Sequence, residues 1–526
     1  MNNPWPSLQQ FLLLVICLSV SDCKRKSEPG GTKPSNHWLT TSEKTPESMN
    51  FEGAYEQGLS GKGVIVGIAD SFIDFQHRDI KESIVLLLLN LIMIPQRYSN
   101  SKRATNIKDR TKDFDNSIFE KNLGIVNHGT HVASIVAGRK ESYSCSPGLA
   151  PDSKIELLRT PFGNKEDFYL DTVVLYDTKT IDIYIFAWGV DDDGMSMGNL
   201  NKKESSALNK ATKTGRNGNG NIYIVSSGNG GRNFDDCNCD AYPSSIYTIS
   251  VGMIGLDMNI AFFQEHCSAM LTAIPDIYNR YSVADYIKPK NYELESKENI
   301  QRETAPCVKN FTGTSAAAPI LASAIALALE ARPDLGYRDV QHLIVESSSI
   351  PAEFKEKNPT KINGAGHEFN EFIGFGLLDV GEMTKLAKSW KIKKELEKCT
   401  VKANKAFFKT NSKLIILFDA DECKIQNVES VILTFSADMT NNRSTLGVKI
   451  ISPSRTSSNV LTPRHLDKKN FKFTKRPLKS VHFWNEKASG KWFALFKDIR
   501  DNMSDERQDK FISIRKKDVE LLIYGT

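Results

Sequence analysis

Residues 313–330 read GTSAAAPILASAIALALE, and from residue 316 this alanine-rich run predicts a helix that begins just after a serine, Ser315. The segments before it alternate between apolar, strand-like runs and helical stretches. Strands that are apolar on both faces and separated by helices are typical of a parallel sheet covered by helices. The sequence therefore predicts an α/β domain over residues 51–390. Its strand-like runs are residues 64–69, 181–187, 222–226 and 247–251, and its other helical stretches are residues 129–137, 202–214 and 337–346.

A different pattern begins near residue 392. A charged stretch, residues 391–398 (KIKKELEK), leads into short apolar runs that are separated by polar turns, and no long helical period follows. Short strands at turn-separated spacing are typical of a β-sandwich. We therefore expect a second, all-β domain over residues 391–526.

The N-terminus carries a targeting signature. Residues 11–20 (FLLLVICLSV) predict a signal peptide over residues 1–22, with an N-terminal strand or a short anchor as the alternatives. Residues 23–50 are rich in Lys, Ser, Pro and Gly, which predicts an exposed, mobile segment. A second apolar run, residues 84–94 (IVLLLLNLIMI), is shorter than the ~20 residues of a membrane span. We expect it to be a buried strand or helix, and we expect no membrane span.

Charge and cysteine content narrow the class of partner. The chain has 68 Lys and Arg against 63 Asp and Glu, and this net charge of +5 is too small for its length to favour nucleic acid as a partner. Recognition of a charged substrate must then depend on local acids or bases. The chain has nine cysteines, and an odd number in an exported protein predicts at least one unpaired thiol.

Three reactive residues occur where α/β folds expose catalytic groups. Asp70 ends an apolar run, His128 stands at the start of a predicted helix, and Ser315 precedes another helix. A serine hydroxyl becomes nucleophilic when a histidine accepts its proton and a carboxylate orients that histidine, and Asp, His, Ser is the order in subtilisin-type chains. Asn229, in the loop 227–231 (SGNGG), can supply an amide to the oxyanion. Ser315 at a helix start adds its own N–H.

Each of these residues also has a structural explanation when it is taken alone. Asp70 and Ser315 could be helix caps, His128 a hydrogen-bonded core histidine, and Asn229 a turn residue. Their joint occurrence in this order favours catalysis. A second histidine, His131, follows His128 by one helical turn, and we expect it to be structural.

At these positions the chain resembles the kexin/furin branch of the subtilisin superfamily, the proprotein convertases. The resemblance runs from about residue 50 to the end. It implies a subtilisin-like catalytic domain followed by a P domain, which is a jelly-roll β-sandwich. It also implies that Asp70, His128 and Ser315 form the triad and that Asn229 belongs to the oxyanion hole. The motifs that carry it are residues 182–184 (DIY), 188–189 (WG), 192–194 (DDG), 228–232 (GNGGR), 237–240 (CNCD), 312–316 (TGTSA), 375–379 (FGLLD) and 524–526 (YGT).

The resemblance further implies that the substrate carries a basic residue immediately before the scissile bond. Asp192 and Asp240 match the acids of the pocket for that residue, because a buried Lys or Arg must meet a carboxylate. Asp192, Asp235 and Glu265 match a calcium site beneath the pocket, and carboxylates suit this hard cation. The alternative for residues 191–193 is a solvated acidic turn.

The resemblance also implies how the cysteines pair, and the sequence contains possible glycosylation sites. The resemblance implies the disulfides Cys145 with Cys307, Cys237 with Cys267, and Cys399 with Cys423. Cys239 then stays free, Cys17 lies in the signal, and Cys23 lies at the expected cleavage site. Three Asn-X-Ser/Thr triplets are compatible with glycosylation, at Asn310, Asn442 and Asn502.

The chain also departs from the family. Residues 23–50 are too few for the family's prodomain, Phe72 is a bulky neighbour of Asp70, and residues 84–94 replace a metal-binding loop, so that a second calcium site keeps only Asp79. Asn164 and Gly198 replace acids that bind basic residues further upstream, which predicts weaker multibasic selectivity. Our hypothesis is a monomeric, calcium-dependent serine endopeptidase of the secretory pathway (Golgi) or extracellular space. It would cleave proteins and peptides at basic sites. The alternative is a pseudoprotease that binds basic peptides or partner proteins without cutting them.

Overall fold

The structure is a computed structural model that describes residues 37–41, 48–70, 73–74, 77–85, 123–140, 145–160, 170–285, 307–393, 395–410, 412–440, 442–499 and 511–526. The predicted signal peptide, most of the predicted mobile segment and most of the apolar run 84–94 lie outside these residues. So do Phe72, Asn164 and Asn502.

The first part of the chain is a helix-covered sheet. Its strands are β1 Ile65–Asp70, β2 Lys154–Arg159, β3 Ile183–Phe186, β4 Ile222–Ser226, β5 Ile249–Ile254, β6 Met270–Pro275, β7 Val283–Ala284, β8 Cys307–Val308, β9 Ser348–Ser349, β10 Lys361–Ile362, β11 Glu368–Phe369 and β12 Leu377–Leu378. Its helices are α1 His37–Thr40, α2 Phe51–Tyr55, α3 Leu123–Ala137, α4 Leu170–Leu175, α5 Lys202–Thr214, α6 Thr314–Ala331, α7 Tyr337–Glu346, α8 Ala352–Lys357 and α9 Val380–Lys388.

Eight of the described strands form the central sheet, in the order β2-β1-β3-β4-β5-β6-β12-β9. All neighbours are parallel except β12 and β9. Strands β3, β4, β5 and β6 are buried along their whole length. Helices on both faces of a parallel sheet exclude water, so every residue of such strands can be apolar. The predicted α/β class is therefore confirmed.

Two helix starts differ from the predictions. Helix α3 begins at Leu123 rather than at residue 129, so His128 lies inside the helix and not at its start. A glycine within a helix costs only ~1 kcal/mol, and the packing of α3 on β1 and α6 offsets that cost at Gly129. Helix α6 begins at Thr314, which places Ser315 in its first turn.

Helix α6 is the one described helix that is long and apolar enough to cross a membrane. However, 83% of its most apolar window is buried inside the protein. That burial is what the central helix of a folded core shows, and length and composition alone are weak evidence for a span.

The last part of the chain is all β. Its strands are β13 Glu397–Thr410, β14 Lys413–Asp419, β15 Val428–Met439, β16 Leu446–Ile451, β17 Ser457–Leu461, β18 Lys472–Ser480, β19 Lys491–Asp498 and β20 Ile512–Gly525. These eight strands pair antiparallel in the order β17-β16-β19-β14-β13-β20-β15-β18, and the edge strands β17 and β18 approach each other. The sheet thus curls around its own core, in which Trp492, Phe496 and Phe435 are buried. The expected all-β class is confirmed as this barrel-like sheet.

Buried polar contacts join the two parts of the chain. On α7, Arg338 and His342 both bond to Glu429 of β15, and all three side chains are buried. Asn238 donates to the carbonyls of Val460 and Lys479 and accepts from the Lys479 N–H. Since an unpaired buried charge is costly, these contacts fix how the curled sheet sits on the α/β part.

The pair between Arg338 and Glu429 yields a stability prediction. Glu429→Gln removes the carboxylate charge and leaves a buried guanidinium without its counterion, so it should lower the free energy of unfolding by ~3–5 kcal/mol. Urea denaturation followed by tryptophan fluorescence measures the change. Asp518→Asn, which breaks an exposed pair with Arg515, is the matched control and should leave the midpoint nearly unchanged. Equal midpoints for the two variants would contradict the stabilising role of Glu429.

Candidate active site

Asp70 and His128 form a close pair at the carboxyl end of the sheet. Asp70 is the last residue of β1 and is 0% exposed. Its Oδ2 lies 2.7 Å from His128 Nδ1. Because a carboxylate only accepts hydrogen bonds, this contact places the imidazole proton on Nδ1 and leaves Nε2 able to accept a proton. Trp188 Nε1 donates to the Ala69 carbonyl and holds the end of the strand.

Phe311 packs against both histidines of α3. Its ring centroid lies 5.5 Å from that of His128, in an edge-to-face arrangement, and 4.9 Å from that of His131. His131 Nε2 is in turn 3.0 Å from Asp285 Oδ1. His131, predicted to be structural, therefore supports the ring beside His128. No local pattern in the sequence indicated the contributions of Phe311 and Asp285.

Ser315 lies in the first turn of α6, above the end of β3. Its Oγ donates to the Ala187 carbonyl, 2.9 Å away. The preceding turn requires a glycine, because Gly313 has φ +85° and a Cβ there would lie 2.9 Å from Asn229 Oδ1. The turn thereby brings Ser315 and Asn229 together.

The side chain of Asn229 has a defined orientation. Its Oδ1 accepts from the Thr314 N–H at 2.8 Å and from the Thr314 hydroxyl at 3.1 Å. These two donors identify the carbonyl end of the amide, so the Nδ2 end is free to donate elsewhere. Thr314 was not among the predicted site residues, although it adjoins Ser315 in the motif 312–316.

Four acids collect beside this turn, and we call Asp192, Asp235, Asp240 and Glu265 the acidic cluster. Asp192 Oδ1 accepts from the Asn229 N–H, and Glu265 Oε1 accepts from the Gly230 N–H. Asp240 lies against Gly189, where a Cβ would be 3.4 Å from its Oδ2. The structure therefore places the two predicted pocket acids beside Asn229 and Gly189, respectively.

The acidic cluster carries more negative than positive charge. Burial, followed by repulsion from Asp235 and Asp192, raises the pKa of Asp240 well above its ordinary value. Burial, followed by repulsion from Asp240, Asp235 and Asp192, does the same for Glu265. Burial raises the pKa of Asp235 to about 6, and Arg464 opposes part of that rise. Glu265 is 1% exposed, and its Oε2 has no hydrogen-bond partner. An unpartnered buried oxygen among carboxylates suits a hard cation such as calcium.

A second group of possible ligands does not support a metal. Among the described residues, potential ligand atoms of His77, Asp79 and Cys145 lie within 4.8 Å of one another. The sulfur of Cys145 is bonded to Cys307 and is therefore no thiolate. Asp79 was expected to remain from a second calcium site. Its Oδ1 lies 3.6 Å from Arg78 Nε, so this carboxylate already faces a positive charge.

The described part of the chain contains three disulfides, and they join the pairs that the resemblance implies. They are Cys145–Cys307, Cys237–Cys267 and Cys399–Cys423, with Cys239 free and buried. Cys237–Cys267 ties the segment that carries Asp235 and Asp240 to the segment that carries Glu265. Burial raises the pKa of the Cys239 thiol, which keeps it protonated. Of the described sequons, Asn310 is exposed, whereas Asn442 accepts from the N–H of Ser444.

A buried aspartate paired with a histidine, and a serine in the first turn of a core helix, are the parts of a serine hydrolase on a parallel α/β sheet. In this structure the serine hydroxyl bonds to the Ala187 carbonyl. The chain belongs to the subtilase family, which its residues 61–376 match. Residues 428–509 match the proprotein convertase P-domain. The predicted combination of these two domains is thus confirmed.

Individual relatives agree with this assignment. Proprotein convertase subtilisin/kexin type 6 of Rattus norvegicus is 31% identical over 499 residues, which cover 93% of this chain and 49% of the relative. PC3-like endoprotease variant B of Hydra vulgaris is 31% identical over 452 residues, 84% of this chain and 59% of that protein. The chain thus spans about half the length of the curated relatives it matches. The crystal structure of a serine protease of Aeromonas sobria has the same fold, with a TM-score of 0.69 at 17% identity over 94% of this chain and 95% of that one.

The orientation of Asn229 predicts graded effects on turnover. If Nδ2 holds the oxyanion, Asn229→Ala should lower kcat by ~10²–10³ with little change in KM, because the donor acts on charge that develops in the transition state. Thr314→Val should lower kcat less, since the Thr314 N–H still holds Oδ1, and Thr314→Ser should restore it. Steady-state hydrolysis of a fluorogenic Arg peptide measures these values. An unchanged kcat in Asn229→Ala would exclude the oxyanion role.

Proposed function

We propose that this chain is a serine endopeptidase that processes proteins and peptides after a basic residue. The observation that carries the proposal is the Asp70–His128 pair together with Ser315 in the first turn of α6. Membership of the subtilase family and the names of the relatives, which are proprotein convertases, support it.

In the proposed reaction His128 Nε2 takes the proton from Ser315 Oγ as this oxygen attacks the substrate carbonyl. To do so the hydroxyl leaves the Ala187 carbonyl, its partner in the structure. The Asn229 amide and the Ser315 N–H bind the oxyanion, and Asp70 stabilises the imidazolium. His128 then protonates the leaving amine and the C–N bond breaks. His128 next takes a proton from water, whose oxygen attacks the acyl carbonyl. The bond between this carbonyl and Ser315 Oγ breaks, His128 gives its proton to Oγ, and the carboxylic acid product leaves.

The acidic cluster supports a preference for Arg or Lys before the cut. Asp240 is buried, and its raised pKa reflects burial and neighbouring negative charge. A basic substrate side chain would supply the missing charge and gain charge-assisted hydrogen bonds. Asp192, which bonds to the backbone of Asn229, would connect this pocket to the oxyanion hole.

Calcium dependence forms part of the proposal. Asp192, Asp235 and Glu265 would hold the ion, and the orphan Oε2 of Glu265 is the structural observation that supports a cation there. When bound, calcium would supply positive charge beneath the pocket and keep these carboxylates ionised.

We further propose that a monomer acts in the secretory pathway (Golgi) or outside the cell. The disulfides agree with an oxidising compartment. The proposal includes a signal peptide over residues 1–22, a peptidase domain over residues 51–390 and a P domain over residues 391–526. Glycosylation at Asn310 and Asn442 would fit the same route.

One observation favours a second candidate, a pseudoprotease that binds basic peptides without cutting them. The Ser315 hydroxyl bonds to a backbone carbonyl, and a serine held there is a poor nucleophile. A fluorophosphonate probe separates the two candidates, because labelling of Ser315 requires an activated hydroxyl.

The catalytic assignment predicts that Ser315→Ala abolishes both probe labelling and peptide cleavage. The purified protein is assayed with calcium on an Arg-containing peptide beside this variant. Equal cleavage rates in the two proteins would show that the activity belongs to a contaminant or another site, and that the proposal is wrong.

The pocket assignment predicts a change in selectivity. Asp240→Asn keeps the shape but removes the charge, so kcat/KM for an Arg substrate should fall by ~10²-fold or more. A matched peptide with norleucine in place of Arg is the control, and its kcat/KM should not fall. Parallel losses on both peptides would place Asp240 outside the pocket.

A further inference from the structure

We infer that Arg464, from the curled β-sheet, is a built-in counter-cation of the acidic cluster and sets how tightly that cluster binds calcium. The inference rests on the calcium site in the proposed function. Arg464 follows β17, whereas the acids lie in loops of the α/β part.

The guanidinium of Arg464 is held in one position. It is 3% exposed, and its Nε lies 3.0 Å from Asp235 Oδ1. Its Nη2 donates to the Ser196 carbonyl at 2.6 Å, and its Nη1 lies 3.5 Å from Asp467 Oδ2. The cation thus bridges the loop of Asp192, the segment of Asp235 and its own sheet. Because arginine does not lose its proton at ordinary pH, the guanidinium keeps its charge at any pH at which the protein is folded.

Arg464 and the nearby Arg476 offset only part of the negative charge of the cluster. Arg476, the other buried arginine nearby, donates to the carbonyls of Gly198 and Asn238 and to the amide oxygen of Asn199. Glu265 keeps a buried oxygen without a hydrogen-bond partner. Asp235 Oδ1 accepts from the Asp236 N–H and forms the ion pair with Arg464, and its Oδ2 accepts from the Gly194 N–H. The cluster therefore still attracts a cation, but one of its ligands is already shared with a fixed positive charge.

A calcium ion at this cluster would have to share Asp235 with Arg464 or displace the guanidinium. Like charges a few ångströms apart repel by several kcal/mol even at an effective dielectric of ~20. Arg464 thus weakens calcium binding, and in return it partly neutralises the cluster when the ion is absent. Docking of the curled sheet and the charge under the pocket are coupled through this one side chain.

Calcium titration of three variants tests the inference. Each is made as the full chain in a Ser315→Ala background, which prevents self-cleavage, and calorimetry gives the calcium Kd. Arg464→Gln should bind calcium at least ~10-fold more tightly than the parent, because it removes the repelling charge. Arg464→Lys keeps the charge and should stay within ~3-fold of the parent. Arg443→Gln is the matched control: it pairs with Asp467 and touches the Met195 carbonyl without contacting Asp235, and it should bind like the parent.

Each outcome decides the question. Unchanged or weaker binding by Arg464→Gln, or equally tight binding by Arg464→Lys, would overturn the inference. If Arg464→Gln does not fold in calcium-free buffer, recovery of folded protein at millimolar calcium supports it, and equal failure with and without calcium overturns it. Binding by Arg464→Gln with none by the parent would support the inference while removing calcium dependence from the proposed function. Equal calcium binding by Arg464→Gln and the parent would overturn the inference and would leave calcium binding in the proposed function intact.

Discussion

The packing of α6 against the parallel sheet is the constraint on which the site depends. The helix contacts β3, β4, β5, β6 and α3, and its small residues let the backbones approach closely. Its first turn therefore lies above the carboxyl ends of the strands, where chains of this class expose their functional loops. Ser315 meets Ala187 just after β3, and Thr314 meets Asn229 just after β4. A shift of the helix by one residue would break both contacts at once.

The site residues that could be predicted from the sequence are those marked by local sequence patterns. Apolar runs marked the strands, so Asp70 and Asn229 were found at strand ends, and the run after residue 313 marked α6. Contacts between distant segments gave no such signal: nothing near Phe311 in sequence indicates that its ring packs against His128 and His131. The helix containing His128 was predicted too short because the glycine after it was read as a boundary, although tertiary packing outweighs that local preference.

The role of Arg464 was also not predicted, because it depends on a contact between segments that are distant in sequence. Its ion pair with Asp235 is one of several buried polar contacts between the curled sheet and the α/β part. Asp235 and Glu265 lie on segments joined by Cys237–Cys267, yet the cation beside Asp235 comes from another part of the chain. Glu429 reaches Arg338 and His342 across the same boundary, and Lys479 donates to the carbonyls of Ser245 and Thr248. Buried polar pairs add little net stability compared with apolar packing, but each is costly to break. They therefore specify one way for the curled sheet to sit on the α/β part.

A nearly balanced chain thus concentrates negative charge around a built-in arginine, at the place where the proposed function would put a basic substrate residue and calcium. Arg464 occupies Asp235, a basic substrate residue would meet Asp240, and calcium would meet Glu265 between them. Because burial and neighbouring carboxylates raise the pKa of Asp240 and Glu265, each cation that binds would make it easier for the remaining carboxylates to stay ionised and would weaken the attraction for the next cation. Substrate affinity, metal affinity and docking of the sheet are then not independent properties. They draw on one set of buried charges, and a change to any member alters the other two.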